Sequence, residues 1–307
     1  MSDQKEERGF PLNRIEEISA RPQDFHLLER IPLTIPKVMD HLPIKLAEPE
    51  PGEKLHQIVI LDTETTGMFA DKDRIIELGL VKATYSFTRR RILSVDRLYD
   101  EFEDPQFHIP EAITSITNIT DDMVKNHQLD DDMVAQIMTG RPLVIAHNAS
   151  FDRPFFDKRF PQLAGLSWAC SQKEIDWDSF GSGGRKLEFL NMSRGWFYNA
   201  HRAYVDCLAT LWLLHIEPTA FKMLIESAIS PSFKVIAEGN TFDIKDALKQ
   251  QGYRFESKGA EKYWYLSCST QEKADKALEN LQDVMHATGR IETVTAKERY
   301  KNSIRKR

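Results

Sequence analysis

Residues 57–67, Gln57-Ile-Val-Ile-Leu-Asp-Thr-Glu-Thr-Thr-Gly67, contain the pattern that decides the fold. A short apolar run rich in β-branched residues predicts a strand that is buried on both faces, as in the sheet of a layered α/β domain. Asp62 and Glu64 follow at the end of this run. Because side chains alternate between the faces of a strand, we expect both carboxylates to point the same way and to form half of a divalent-metal site. The alternative is an acidic turn at a strand end.

Two further acidic motifs occur later in the chain, where the sequence predicts strand and helix ends. Asp152 ends the stretch His147-Asn-Ala-Ser-Phe-Asp152, which follows a short apolar strand and begins a helix. Asp206 ends the stretch His201-Arg-Ala-Tyr-Val-Asp206, on a helix predicted over 203–216 by the spacing of its apolar residues. Four carboxylates and one imidazole are what a two-metal phosphoryl-transfer site requires, with oxygen ligands that favour Mg²⁺ or Mn²⁺.

These three motifs resemble those of the DEDD superfamily of 3′-to-5′ exonucleases, in its histidine-bearing, DnaQ-like branch (DEDDh). Within that branch the chain resembles the proofreading exonuclease subunits of DNA polymerase III. The resemblance spans residues 58–215 and keeps the family's motif order. One departure is visible, because many members have His-Gly before Ile-Thr where this chain has Thr117 and Asn118. The resemblance implies an α/β fold with a ribonuclease H-like mixed β-sheet flanked by helices.

The resemblance also implies a catalytic role for each residue of the motifs. Asp62 would bridge two divalent cations, and Glu64 and Asp206 would complete the first metal site. Asp152 would support the second site through water. His201 would accept a proton from the water that attacks the terminal phosphodiester, so that a nucleoside 5′-monophosphate is released. A histidine with a pKa of about 6.5 is largely neutral at neutral pH and can accept that proton.

A second group of residues is expected to bind the 3′ end of the substrate: Thr65, Thr66, Gly67, Met68, Phe69 and Asn148. Gly67 has no Cβ, so the backbone can approach a ligand closely there. In the resembling family an apolar residue at this place wedges against the terminal base, and an unstacked base favours such a surface. An equally good interpretation is that Met68 and Phe69 cover the core.

Composition along the chain predicts four parts. They are a proline-rich N-terminal arm over residues 1–54, a layered α/β domain over 55–220, a small C-terminal α/β unit over 230–286 and a basic tail over 287–307. The resemblance implies that the part over 55–220 is the exonuclease domain. The arm is either extended over a neighbouring surface or a disordered tail, because its prolines forbid long helices. In the small unit, strand alternation predicts that Tyr253, Phe255, Tyr263 and Tyr265 face the core and that Arg254 and Trp264 lie on the other face.

Composition also indicates which classes of protein and which cellular compartment the sequence favours. The chain has 307 residues, 41% of them hydrophobic, so it can bury a full core without disulfides. A formal charge of -6 argues against a passive nucleic-acid coat, so a polyanion would be bound locally. Three widely spaced cysteines and no apolar run of about 20 residues predict a cytoplasmic protein with no membrane partner.

The sequence therefore predicts a metal-dependent 3′-to-5′ exonuclease that acts on single-stranded or frayed DNA 3′ ends in proofreading or repair. The expected protein partner is a DNA polymerase or another replication or repair protein. Two other hypotheses stay open. The same machinery could trim RNA 3′ ends, because nothing in the motifs contacts a 2′-hydroxyl. The chain could also be a non-catalytic module that only binds nucleic acid, since likeness of fold does not guarantee chemistry.

Overall fold

The structure, a computed structural model, describes residues 12–35, 41–258, 261–283 and 286–301. Its strands, in chain order, are β1 (Glu29–Arg30), β2 (Ile44–Lys45), β3 (Leu55–Thr65), β4 (Ile75–Ser86), β5 (Arg91–Phe102), β6 (Leu143–Ala146), β7 (Trp168–Cys170), β8 (Trp196–Phe197), β9 (Ser232–Glu238), β10 (Arg254–Lys258), β11 (Glu261–Cys268) and β12 (Thr288–Val294). Its α-helices are α1 (Ile15–Ala20), α2 (Glu111–Thr117), α3 (Asp121–Val124), α4 (Asp131–Ile137), α5 (Ala149–Arg159), α6 (Leu187–Met192), α7 (Ala203–Ile216), α8 (Pro218–Ile229), α9 (Lys245–Gln250) and α10 (Gln271–Asp283).

The larger sheet of the described residues has the strand order β2-β5-β4-β3-β6-β7. Strands β3, β4 and β5 are antiparallel, whereas β6 is parallel to β3 and β7 is parallel to β6. The apolar run Ile58–Leu61 of β3 is fully buried, because one hydrophobic cluster covers each face of the sheet. Helix α7 packs on β3 and β4, and α5 packs on β3 and β6. The predicted ribonuclease H-like mixed sheet flanked by helices is confirmed.

This topology brings the three acidic motifs to one edge of the sheet. Because β3 and β6 are parallel neighbours, with Ile60 opposite Ile145, their carboxyl ends meet at the same edge. The third motif is carried by α7, whose first turn lies against β4 at Gly79. A Cβ on Gly79 would lie 2.5 Å from the main-chain carbon of Ala203, so a side chain there would push α7 away from the sheet.

Two segments of the N-terminal arm, residues 29–35 and 44–47, lie on the nuclease domain. Strand β1 pairs in parallel with β8, and β2 adds to the outer edge of the large sheet beside β5. Ile31 and Leu33 are fully buried in the same cluster as α7. Residues 32–34 form a 3-10 turn rather than a strand, because Pro32 fixes its own backbone angle in a turn. For residues 29–35 and 44–47 the packing agrees with an arm extended over a neighbouring surface and not with a disordered tail. Residues 1–11 and 36–40 lie outside the described residues.

The C-terminal unit forms a second antiparallel sheet in the order β10-β11-β9-β12, with α10 packed against β9, β11 and β12. It extends beyond the predicted boundary at residue 286, because Thr288–Val294 pairs with β9 along the whole length of both strands. Composition indicated a tail there, since an edge strand with one exposed face carries few apolar side chains. The sheet's alternation also differs from the prediction. Trp264 is buried in the core of the unit, and Phe255 is more than half exposed. With aromatic residues on both faces of the strands, alternation alone cannot select the covered one.

Within the described residues, no single helix has the length and apolar character to cross a bilayer. Helices α7 and α8 reach the necessary length only as a pair, and their axes differ by 105°.

Candidate active site

Three carboxylates of the predicted set form a cluster at the edge of the large sheet. Asp62, Glu64 and Asp206 each offer an oxygen atom, and these atoms lie within 4.8 Å of one another. The first two stand on the same face at the end of β3, with buried Thr63 on the opposite face. The third comes from the first turn of α7. All three side chains are half-buried, so the cluster is open enough to admit a ligand.

The charges of this cluster fit a divalent cation. Burial raises the pKa of Asp62 well above its usual range, and the neighbouring charges of Asp152 and Asp206 raise it further. Burial and the charge of Asp206 raise the pKa of Glu64 to about 8. Carboxylates this close cannot all stay ionised unless a cation neutralises them. A donor set made only of carboxylate oxygens favours Mg²⁺ or Mn²⁺ over softer metals.

Asp152 stands behind this cluster, on the buried side of β3. Its Oδ1 accepts hydrogen bonds from the main-chain N–H of Thr63, at 3.2 Å, and from the Thr63 hydroxyl, at 3.0 Å. Burial raises the pKa of Asp152 to about 7, against the effect of the Thr63 hydrogen bonds, which lower it. Asp152 is not one of the carboxylates within the 4.8 Å group, but its charge acts on Asp62. The structure thus places it beside the cluster rather than in it.

His201 lies on the exposed side of the same cluster, just before α7. Its main chain has a left-handed φ of 69°, and its N–H donates to Oδ2 of Asp206 at 2.8 Å. Its side chain is exposed to solvent. Burial raises the pKa of Asp206 to about 6, and the hydrogen bond from His201 and the charge of its ring oppose that rise. The imidazole is therefore close enough to the cluster to influence it.

Tyr198 is a member of the site that the sequence did not reveal. Its hydroxyl donates to Oδ1 of Asp206 at 3.1 Å, so that both oxygens of Asp206 are hydrogen-bonded from the loop before α7. Burial and the charge of Asp206 raise the pKa of the Tyr198 phenol, which keeps it a donor. Tyr198 lies outside the quoted motif, and nothing in its local pattern distinguishes it from a core residue.

An ion pair between a buried glutamate and a partly exposed arginine fixes the start of α7. Glu77 is fully buried and accepts hydrogen bonds from Nε of Arg202, at 2.7 Å, and from the main-chain N–H of Ala203, at 3.0 Å. Asp100 lies 3.6 Å from the same guanidinium. Burial and the charge of Glu77 raise the pKa of Asp100 to about 7. The sequence signal for this anchor was a single glutamate in the otherwise apolar run at 75–79.

The loop after β3 is closed by its own hydrogen bonds. The hydroxyl of Thr65 donates to the carbonyl of Gly67 at 2.6 Å, and the hydroxyl of Thr66 accepts from the N–H of Arg74 at 3.1 Å. Both threonine side chains are buried. A Cβ on Gly67 would lie 2.5 Å from the carboxylate of Asp73, so close packing within the loop already requires glycine there. The two hydroxyls support the loop.

The remaining predicted substrate contacts are accessible. Met68 is 66% exposed. The interpretation that this residue covers the core is therefore wrong. Phe69 is partly exposed, with the Lys72 ammonium 5.9 Å from its ring centroid. Asn148 is exposed, and its Oδ1 accepts a hydrogen bond from the hydroxyl of Ser150 at 3.0 Å. These side chains could meet a substrate, and their roles stay predictions.

Comparison with known proteins agrees with this geometry. The RNase_T family model, described as an exonuclease, matches residues 59–214, just over half of the chain. The chain belongs to this exonuclease family. The matched range contains all three acidic motifs, so the 3′-to-5′ exonuclease superfamily recognised from them is confirmed. Assignment to the histidine-bearing branch stays a prediction.

Relatives of the family domain include much larger proteins. DNA polymerase III PolC-type of Clostridium perfringens is 35% identical over 109 residues, which cover 35% of this chain and 7% of that protein. The PolC-type polymerase of Oceanobacillus iheyensis is 34% identical over 128 residues, which cover 41% of this chain and 8% of that one. The chain therefore spans less than a tenth of these relatives.

Solved structures are also similar to this chain. Exonuclease X in complex with 5′ overhanging duplex DNA is 22% identical with a TM-score of 0.40, covering 55% of this chain and 92% of that one. E. coli Exonuclease I in complex with a 5cy-dT13 oligonucleotide is 13% identical with a TM-score of 0.47, covering 73% of this chain and 68% of that one.

Proposed function

We propose that this chain is a metal-dependent 3′-to-5′ exonuclease that removes nucleoside 5′-monophosphates from single-stranded or frayed DNA ends. The observation that carries the proposal is the cluster of Asp62, Glu64 and Asp206, whose carboxylate oxygens lie within 4.8 Å of one another. Such a concentration of negative charge in a half-buried cluster is costly in a stable protein unless cations neutralise it. Membership of the exonuclease family supports the same chemistry.

The carboxylates would hold two divalent cations, Mg²⁺ or Mn²⁺. Asp62, Glu64 and Asp206 would bind the first, and Asp62 and Asp152 would support the second. When bound, the cations would supply positive charge against the scissile phosphate and its leaving oxygen. The cluster is thus suited to a polyanionic substrate even in a chain with a formal charge of -6.

Side chains around the cluster would accept a proton, orient a metal ligand and contact the substrate. His201, exposed at the edge of the cluster, would accept the proton of the attacking water on its imidazole. Tyr198 and the main-chain N–H of His201 hold both oxygens of Asp206, which fixes the direction of that carboxylate. Glu77 anchors the start of α7 through Arg202, so the loop that carries His201 ends at a fixed point. The exposed Met68 would contact the terminal base.

DNA is the proposed substrate, in proofreading or repair, because the relatives that match the domain are DNA polymerases. We propose a DNA polymerase or another replication or repair protein as the partner, on the same grounds. A cytoplasmic location belongs to the proposal too, and the three buried, unpaired cysteines support a reducing compartment.

The experiment that tests the proposal is product analysis with 5′-labelled DNA and RNA oligomers of one sequence. We expect Mg²⁺ or Mn²⁺ to produce a ladder that shortens from the 3′ end of DNA, together with mononucleotides, and chelation to stop the reaction. Asp62→Asn should abolish it, because it removes the shared metal ligand. Asp246→Asn, an exposed aspartate in the second sheet's helix α9, is the matched control and should leave it unchanged.

Three results would contradict the proposal in different ways. Intact DNA under every ion, with binding retained, would favour a non-catalytic module. Degradation of RNA alone would make the chain an exoribonuclease. Activity that survives Asp62→Asn would come from another site or from a contaminant.

A further inference from the structure

A fully buried arginine follows Asp152 directly along α5. Arg153 Nη1 donates to the main-chain carbonyls of Ala296 and Arg299, at 3.3 and 2.6 Å. Nη2 donates to the carbonyl of Lys297 at 2.7 Å, and also to two carbonyls of the nuclease domain, at residues 164 and 166. One guanidinium thus joins the helix that carries Asp152 to the C-terminal end of the chain, 143 to 146 residues away.

The C-terminal segment 295–301, here called the clasp, also covers the edge of the large sheet. The N–H of Trp168, on the edge strand β7, donates to the carbonyl of Ala296 at 2.8 Å. Ala296 is buried, and the Arg153 guanidinium carbon lies 5.5 Å from the Trp168 ring centroid. Edge strands otherwise present unpaired backbone groups. The clasp therefore belongs to the nuclease domain in packing, although it follows the second sheet in sequence.

A second cluster of contacts fastens the clasp at its far end. Arg299 pairs with Glu174 at 2.8 Å and donates to the carbonyls of Ser227 and Ser230, at 2.8 and 2.6 Å. The hydroxyl of Tyr300 donates to the other oxygen of Glu174 at 2.8 Å. That oxygen also accepts from the N–H of Cys170, the last residue of β7. The side chains of Arg299 and Glu174 are at most 10% exposed, so this pair is shielded from solvent.

We propose that the clasp, acting through Arg153 as a positioning residue, holds α5 and with it Asp152 in the place that the second metal ion requires. The proposal rests on the proposed function, because it concerns the same site. Arginine is required at residue 153, since a lysine has three donors on one nitrogen and cannot reach carbonyls on several segments. If the clasp detaches, Arg153 loses three of its acceptors and keeps the ion pair with Asp157, at 3.1 Å, and the two carbonyls of the nuclease domain. A donor that loses its acceptor is destabilised until it finds another, so the guanidinium would move toward water and α5 would shift with it.

The consequence is that activity of the domain at 55–220 depends on residues near the end of the chain. A shift of α5 would weaken the contact between Asp152 and Thr63, which sits between Asp62 and Glu64 on β3. Metal sites tolerate only small displacements of their ligands, about 0.5 Å. The clasp would therefore change the cation concentration that the enzyme needs more than it changes binding of DNA.

The test compares full-length variants Arg299→Ala and Tyr300→Phe with the control Arg290→Ala. Arg299→Ala removes the buried ion pair with Glu174. Tyr300→Phe removes a single hydrogen bond to the same glutamate, so this milder variant still tests the proposal if Arg299→Ala does not fold. Arg290 also forms ion pairs, with Glu238 and Glu292, but they are exposed on the second sheet. Hydrogen exchange of the amides in 149–159 is measured without metal, and activity is measured against Mn²⁺ and DNA concentration.

We expect exchange in 149–159 to accelerate about tenfold in Arg299→Ala and less in Tyr300→Phe, since local opening of α5 becomes easier. The Mn²⁺ concentration for half-maximal activity should rise about 10-fold or more in Arg299→Ala, as for other supports of metal ligands, while KM for DNA stays within about twofold. Arg290→Ala should change neither measurement.

Two outcomes would overturn the proposal. Faster exchange confined to 295–301, with 149–159 and the Mn²⁺ requirement unchanged, would make the clasp a local structural contact. A rise in KM for DNA with no change in the Mn²⁺ requirement would make it a substrate contact. Failure of the proposed function is distinguishable from both, because an inactive wild-type chain still gives the exchange result.

Discussion

The two sides of the carboxylate cluster differ in how firmly the protein holds them. Asp152 is buried, hydrogen-bonded twice to Thr63 and followed directly by the buried Arg153. His201 is exposed, on a backbone with a left-handed φ, and its N–H donates to Asp206. The difference indicates that the two sides have different roles. The buried side would keep cation ligands at fixed distances, and the open side would meet water and the substrate strand.

Asp152→Asn tests the buried side and should have the largest effect. The amide oxygen can still accept from Thr63, so the fold should persist, but the charge that supports the second cation is lost. We expect kcat to fall about 10³- to 10⁴-fold, since a cation supplies several kcal/mol of transition-state stabilisation. Steady-state kinetics and calorimetric Mn²⁺ titration measure this change. Nearly full activity with unchanged Mn²⁺ binding would mean that Asp152 is a structural residue.

His201→Gln tests the open side. Glutamine keeps a polar side chain but cannot accept a proton at neutral pH, so kcat should fall about 10²- to 10³-fold. Mn²⁺ binding should be nearly unchanged, because the imidazole is not among the ligands. Calorimetry next to single-turnover rates separates the two effects. If His201→Gln loses Mn²⁺ affinity as Asp152→Asn does, the two sides of the site are not functionally distinct.

Sequence predicted the motif carriers well, because their evidence is local. The apolar run before Asp62 and Glu64 defined a buried strand, and alternation placed both carboxylates on one face. Asp152 and Asp206 followed from their positions at helix starts. These are short-range patterns, and each can be read within about ten residues.

The supports of the site could not be predicted in this way. Tyr198 and Arg153 act on Asp206 and on α5 through contacts that only the tertiary structure defines. Nothing in the sequence around Arg153 indicates that it is buried, because three of its acceptors are carbonyls more than 140 residues away. The prediction that Trp264 lies on the face away from the core was wrong for a related reason, because the face of its sheet that is covered depends on where α10 packs.

A third prediction concerns stability on the buried side. His147 directly follows β6 and is buried. Its Nε2 donates to the carbonyl of Arg185, and its Nδ1 accepts from the hydroxyl of Ser171. Burial lowers the pKa of His147 to about 4, from a usual value near 6.5. Between these values the unfolded chain binds more protons than the folded one, so stability falls as the pH falls through that window.

We expect this histidine to cost the protein about 2 kcal/mol of unfolding free energy at pH 5 relative to pH 7.5. Glutamine can make both hydrogen bonds without titrating, so His147→Gln should remove that part of the loss. His108→Gln, at an exposed histidine paired with Asp121, is the control and should keep it. Urea unfolding at the two pH values measures the difference. Equal acid sensitivity in His147→Gln and the wild type would show that other groups cause it.

The smallest effect is expected at Met68, on the open side. Its side chain is 66% exposed in the loop that follows Glu64, and exposure of a large apolar residue there is explained if the terminal base covers it. Stacking of a base on an aromatic ring contributes about 1–3 kcal/mol, and a flexible thioether should give less, so Met68→Ala should raise KM about three- to tenfold at an unchanged Mn²⁺ requirement. Met133→Ala, at a partly exposed methionine on α4, is the matched control and should change neither quantity.

An oligomer with an abasic 3′ end offers no base to contact, so wild type and Met68→Ala should then have the same KM. If the two proteins still differ in KM on the abasic end, Met68 acts on the shape of the loop and not on the base. The open side of the site would then be held more firmly than its exposure indicates.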